Sequence, residues 1–318
     1  PLTIKALLWL VRFLSNNWNL RGAGIKNWKS SNGEITFVSY LFDTPSEAIK
    51  NNKYFSPFWT KLSNELNKSS IKTNWLHIYV KDKILFNSVK AAEYINNLNS
   101  KSQNLQIHTT LSSFLSIKVI FKTLRDWLFL RKKNKKINLY IHKKKQIGFL
   151  LPFFQHEWQE SIYGKISLNN LLYLNLFESA ISQLKQQTKG VYLQENQAWE
   201  FAFIQAWKKN GHKQIIGFPH SSVRYWDLRY FYDSRAYIKS TNCNLPIPDK
   251  VACNGEYVKK MYSFGNFPKN KLFKVESLRY LYLFNNKKKL IKKNKMDNFT
   301  LLVLGDYLHL NTHKQLEI

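Results

Sequence analysis

The sequence predicts an α/β fold: a Rossmann-like parallel sheet with helices on both faces. Three observations carry this. Short runs rich in β-branched and aromatic residues recur along the chain. Segments with apolar residues at helical spacing separate them. Hydrophobic residues make up 44% of the 318, enough for a substantial core, which excludes disorder of the whole chain.

The elements follow in order. Residues 1–33 read as an N-terminal helix and loop: 2–14 is apolar but carries Lys5 and Arg12, and 16–34 is rich in Asn, Gly and Ser. Residues 35–42 form a β-rich run ending at Asp43 and a Thr-Pro turn. A helix is predicted over 58–66, a buried-type strand over 74–80, a helix over 89–98 and a short strand over 105–109. This β-α-β-α order calls for parallel strands with helices on the sheet faces. Residues 111–186 read as a helical insertion. Alternation resumes with a strand at 190–193, a helix at 198–209 and a strand at 214–218. In that helix Trp199, Phe203 and Trp207 fall at i, i+4 and i+8, and Gly211 stands just past the end as a C-cap. A strand at 251–253, a helix near 257–264 and a strand at 273–276 complete a domain spanning 34–284. Residues 285–298 are a basic, polar linker. Residues 299–306, an apolar run ending in Gly-Asp, read as the opening strand of a second α/β domain. So little chain follows that the expectation is a domain truncated at the C-terminus, over 299–318.

Forty-nine Lys+Arg against twenty Asp+Glu give a net charge of +29. The excess is mostly Lys, in a chain also crowded with Asn and Ile, which is what an AT-rich genome produces through its codons. Two readings stay open: a solvated basic surface, or attraction of an anionic partner. Nucleic acid is the weaker partner, since zinc-finger, RNP, KH and basic-zipper patterns are all missing. Two cysteines, Cys243 and Cys253, exclude a disulfide scaffold and a cysteine-based zinc site, and read as reduced and cytosolic. No ordered signal peptide is found. No stretch offers the ~20 clean apolar residues of a membrane span. Residues 114–130 are interrupted by Lys118, Lys122, Arg125 and Asp126, and Arg131, Lys132, Lys133, Lys135 and Lys136 follow. An apolar strip beside a basic cluster suits an anionic membrane surface; against it stands the reading as an ordinary core helix with a polar face.

In open parallel sheets, ligands bind beyond the carboxyl ends of the strands. Two polar clusters fall there. Gln194-Glu195-Asn196 follows the strand at 190–193, and His220-Ser221-Ser222-Val223-Arg224 with Asp227 follows the strand at 214–218. Glu195 is the candidate general base, with Glu200 a second, one turn into the helix. His220 is a candidate acid or phosphate ligand. Ser221 and Ser222 lead toward a helix or turn start, where free backbone N–H groups bind anions. Arg224 can clamp a phosphate or carboxylate, and Asp227 can orient Arg224 or His220. Asn254, after the strand at 251–253, joins Gln194, Asn196, Ser221, Ser222, Arg224 and Asp227 as a substrate-binding candidate. The structural readings remain beside these: Glu195 and Asn196 as helix caps, His220 as a satisfied core residue, Arg224 and Asp227 as an ion pair. Metal spacing is missing, as are nucleotide-binding glycine loops, a serine-hydrolase elbow and a kinase set, so no cofactor is expected.

The segment VYLQENQAWEFAFIQAWKKNGHKQIIGFPHSSVRYWDLRYF, from Val191, resembles bacterial surface-carbohydrate biosynthesis proteins of O-antigen and lipopolysaccharide clusters, which are similar to the GT-B glycosyltransferases. Softer likeness extends through ITFVSYLFD, KTNWLHIYV, LNNLLYLNLFESAI, KVACNGEYVKKMY and LLVLGD. Glu195 and His220 fall at the positions where that group carries a strand-end Glu and His; the group's usual His-Gly is His220-Ser221 here. The resemblance implies the N-terminal, acceptor-side half of a GT-B fold. It implies metal-independent transfer of a sugar from a nucleotide-sugar donor to a lipid-linked or growing glycan, with Glu195 as base and His220, Ser221 and Arg224 toward the donor. It implies a cytoplasmic site of action, peripheral on the inner face of the bacterial inner membrane, and little activity for this stretch of chain alone. The competing reading is a non-catalytic membrane-surface or polysaccharide-assembly partner.

Overall fold

The computed structural model describes residues 2–281, except 60, 103, 104, 144, 222, 225, 226 and 238–244, together with 309–317. The chain divides into two compact units, 1–281 and 282–318. The predicted linker at 285–298 and the strand at 299–306 lie outside the described residues, as do Ser222 and Cys243.

Seven parallel strands form the sheet: β1 (Ile35–Leu41), β2 (Thr73–Tyr79), β3 (Gln106–Thr110), β4 (Lys189–Leu193), β5 (Gln214–Phe218), β6 (Lys250–Cys253) and β7 (Leu272–Lys274). Their spatial order is β3-β2-β1-β4-β5-β6-β7. The first six strands follow the doubly wound order, so the sheet is Rossmann-like. The strands are nearly continuous in apolar residues because both faces are covered. Alternation sorts them: Val38, Leu76, Tyr192 and Ile215 face one layer, while Phe37, Trp75, Leu193 and Phe218 face the other.

On the first face lie α1 (Leu2–Asn17), α6 (Ile117–Lys143), α7 (Lys145–Tyr163), α8 (Lys165–Ile181) and α9 (Ala198–Lys209), with α8 touching each of the other four. The predicted helical insertion is thus the long β3–β4 crossover. On the second face Phe58 and Trp59 pack against Trp75 and Phe218, beside α4 (Leu62–Lys68). The short α3 (Ser46–Lys50) and α5 (Ser88–Lys101) complete that cover. α10 (Glu256–Phe264) packs on Val251 and Cys253, whose register with Gly217 of β5 puts them on the first face, and α11 (His309–Leu316) belongs to the second unit. Trp28, Trp59, Trp75 and Trp207 are all but fully buried. Each removes about 4–6 kcal/mol worth of apolar surface from water before ordering entropy is counted.

Two expectations are corrected. The helix predicted over 58–66 begins at Leu62, because Phe58 and Trp59 are drawn onto the sheet in the preceding turn. The segment 16–34 is not all loop: it holds α2 (Ile25–Lys29), pinned by buried Trp28, whose Nε1 donates to the Ala180 carbonyl at 2.9 Å. A five-residue helix held by tertiary contacts has little periodicity of its own.

Candidate active site

The order of the strands reverses between β1 and β4, which pair directly. Their connections leave in opposite directions, opening a crevice at their carboxyl ends. Glu195 stands two residues past β4, His220 two past β5, and Phe42 and Asp43 just past β1. Parallel register brings Leu193 level with Phe218, so the two polar turns are side by side.

The structure brings Glu195 and His220 into contact: imidazole Nε2 lies 2.9 Å from carboxylate Oε1. The His220 ring stacks flat on Phe58, with centroids 4.5 Å apart and planes 8° apart. Burial, with the Arg279 charge adding to it, lowers the His220 pKa to about 4. The imidazole is therefore neutral at pH 7, and the contact is a hydrogen bond from Nε2–H to the carboxylate. Burial raises the Glu195 pKa, against the Arg229 charge and a hydrogen bond with Tyr40. Tyr40 in turn accepts from Trp199 Nε1 at 3.0 Å. Glu195 and His220 line one open cavity of about 400 Å³ with Tyr40, Phe42, Phe58 and Arg279.

The turn that presents Glu195 is held from inside. Glu200, in the first turn of α9, is 2% exposed. Its Oε1 accepts from the Glu195 N–H at 2.7 Å and from the Gln197 N–H at 2.9 Å. Burial pushes its pKa up to about 8, with the two backbone donors pulling down. Glu200 is a structural carboxyl, not a second base. Asn196 is not the cap; Gln197 occupies that position, and Asn196 takes a left-handed conformation with φ 56°. Gln194 Nε2 donates to Asn196 Oδ1 at 3.0 Å.

Four other candidates depart from their expected roles. Among the described residues no helix begins at Ser221; the next described helical segment is the 3-10 turn Leu228–Tyr230. Arg224 and Asp227 form no side-chain pair. Asp227 instead holds Arg229 through two bonds of 2.9 and 2.7 Å, which lowers the carboxyl pKa. Neither does Asp227 orient His220, whose partner is Glu195. His220 is unsuited to donate to a phosphate, since its one N–H is directed at Glu195. Asn254 Nδ2 reaches the Ser221 carbonyl at 3.5 Å, tying the turns after β5 and β6.

Buried polar atoms without a partner gather at this edge: Gln194 Oε1, Asn196 Nδ2, His220 Nδ1 and Asn254 Oδ1. Such atoms are costly unless something binds them. Sequence reading missed Tyr40, Phe58 and Arg279, which lie far from the two clusters along the chain, and Arg229, which stands two residues past Asp227. A larger cavity, about 580 Å³, lies among Asn51, Asn64, Asn67 and His108. It lacks such a pair, because His108 Nδ1 is taken up by His77 at 3.1 Å. Among the described residues no group of three or more His, Cys, Asp or Glu is placed to hold a metal ion.

The fold and site together define a Rossmann-like α/β protein with a carboxylate–imidazole pair at its switch point. No family model, curated protein or solved structure matches the chain.

Proposed function

We propose that the chain is a glycosyltransferase-like protein of bacterial surface polysaccharide biosynthesis, which moves a sugar from a nucleotide-activated donor to a membrane-associated glycan. The observation that supports it best is the Glu195–His220 contact in the switch-point cavity. Burial raises the affinity of Glu195 for a proton, which suits a general base. In this reading Glu195 takes the proton of the acceptor hydroxyl. The freed oxygen bonds to the anomeric carbon of the donor, and the bond from that carbon to the diphosphate oxygen breaks. The nucleotide diphosphate leaves with the electron pair. Arg279, at the cavity wall, offsets the developing negative charge. His220 orients the carboxylate through Nε2–H, and Phe58 fixes the ring plane.

The test is donor-dependent sugar transfer or donor hydrolysis by the protein expressed from its complete reading frame. Glu195→Gln lowers kcat by about 10²–10⁴-fold, the usual worth of a general base. His220→Ala lowers it less. Unchanged rates in both variants remove the proposed roles. The second reading, a non-catalytic membrane or assembly partner, rests on the basic and apolar outer helices; it gains if no nucleotide sugar is consumed by wild type either.

A further inference from the structure

Three helices of the first face turn apolar side chains outward. On α1, Ile4, Leu8 and Val11 are 53–64% exposed, on the side opposite buried Ala6 and Leu10. On α6, Phe121 and Leu128 are 69% and 60% exposed. On α7, Phe149 and Phe153 reach 76% and 79%. The helices are neighbours, α7 touching both α1 and α6. Folded proteins rarely leave so many large rings in water without a partner for them.

The charge on the same helices selects the partner. α1 carries Lys5 and Arg12 and no acid. α6 carries exposed Lys118, Arg125, Lys132, Lys133 and Lys136. Its one acid, Asp126, is 27% exposed and engages Asn175 of α8 at 3.2 Å. α7 adds two acids, Glu157 and Glu160, so the cationic excess of the surface rests on α1 and α6. Two surfaces with that excess repel each other, which disfavours a second copy of the chain as the occupant. None of the described helices is long and apolar enough to cross a membrane.

We propose that the outer surface of α1, α6 and α7 docks on a bilayer bearing anionic lipid. The rings of α6 and α7 enter the headgroup boundary while the flanking Lys and Arg meet the lipid phosphates. The inference does not depend on the chemistry assigned to Glu195.

Co-sedimentation with phosphatidylcholine vesicles, with and without phosphatidylglycerol, tests it. Wild type binds the anionic vesicles, and binding falls about tenfold when salt rises from ~0.1 to ~0.5 M. The pair Phe149→Glu and Phe153→Glu abolishes binding. These side chains are exposed, so circular dichroism and the melting temperature stay near wild type. Lys132→Glu with Lys133→Glu weakens binding and flattens its salt dependence. Phe264→Asp, which removes a ring 67% exposed on α10, leaves binding at the wild-type level. No binding to anionic vesicles, or equal loss with the Phe264 variant, overturns the proposal. So does a concentration-dependent dimer in sedimentation velocity that the Phe149 and Phe153 substitutions dissolve.

Discussion

The ionisation of Glu200 is coupled to stability through its burial. The side chain is sealed under the turn that presents Glu195 and carries a pKa raised by burial to about 8. In the unfolded chain its pKa returns to the ordinary 4.5. The folded state therefore binds more protons than the unfolded one between those values. Stability from this group is complete below pH 4.5 and is lost as pH rises through 8. Buried histidines slope the other way: the His220 pKa is lowered to about 4 and that of His77 to about 3, so each contributes stability that disappears as pH falls below 6.5. The wild-type profile mixes both. Glu200→Gln separates them, because an amide oxygen still accepts from the Glu195 and Gln197 N–H groups but never ionises. Urea unfolding at pH 5 and pH 8.5 is expected to show the variant gaining on wild type by on the order of 4 kcal/mol between them. A constant difference would mean that Glu200 ionises freely in the fold. The site was legible only in part at this scale. Glu195 and His220 announce themselves as polar residues at strand ends. Tyr40, Phe58 and Arg279 do not, because topology alone brings 40, 58 and 279 to one cavity.

At the scale of elements, the unit β4–α9–β5 was read to within a residue, and the reasons are local. The spacing of Phe203 and Trp207 gives α9 a buried stripe, and both side chains are fully covered. Its end is closed by a Schellman pattern: the Gly211 N–H donates to the Lys208 carbonyl at 3.1 Å and the His212 N–H to that of Trp207 at 3.4 Å. Gly211 takes φ +69°, which alanine adopts only with strain. What the sequence hid was how closely strand and helix meet. A Cβ added at Gly190 of β4 would come within 2.9 Å of the Trp207 ring, which has no solvent exposure and is held by its Nε1–H bond to the Lys213 carbonyl at 2.8 Å. Gly190→Ala is therefore expected to destabilise the protein by about 1–3 kcal/mol, the usual cost of overpacking. Gly211→Ala is expected to cost about 1 kcal/mol, set by backbone conformation. Denaturant midpoints measure both; an equal or reversed order would place the strain at the helix end. The helix start near residue 62 was less legible, since aromatic residues at 58 and 59 suit a helix and a sheet-packing turn alike.

For the whole molecule, alternation of strands and helices gave the parallel sheet, but the order of its strands is a property of the assembled chain. That order puts β1 beside β4 and so makes the crevice. Charge is the other global property, and its effect on stability can be argued from the same structure. The net charge of +29 is spread as exposed lysines, and like charges at this density oppose the compact state. Salt weakens this repulsion within a Debye length of about 10 Å at 0.1 M and about 3 Å at 1 M. It also weakens ion pairs, but the described pairs are few beside the excess charge, and an exposed one such as Lys68–Glu65 contributes about 0–1 kcal/mol. Repulsion should outweigh attraction, so the melting temperature is expected to rise by several degrees between ~0.05 and ~0.5 M sodium chloride. The rise should flatten above that range, as screening saturates. A melting temperature that falls with salt would mean that the lysines are matched in the fold by attractive partners, and the excess would then have to be counted as neutralised.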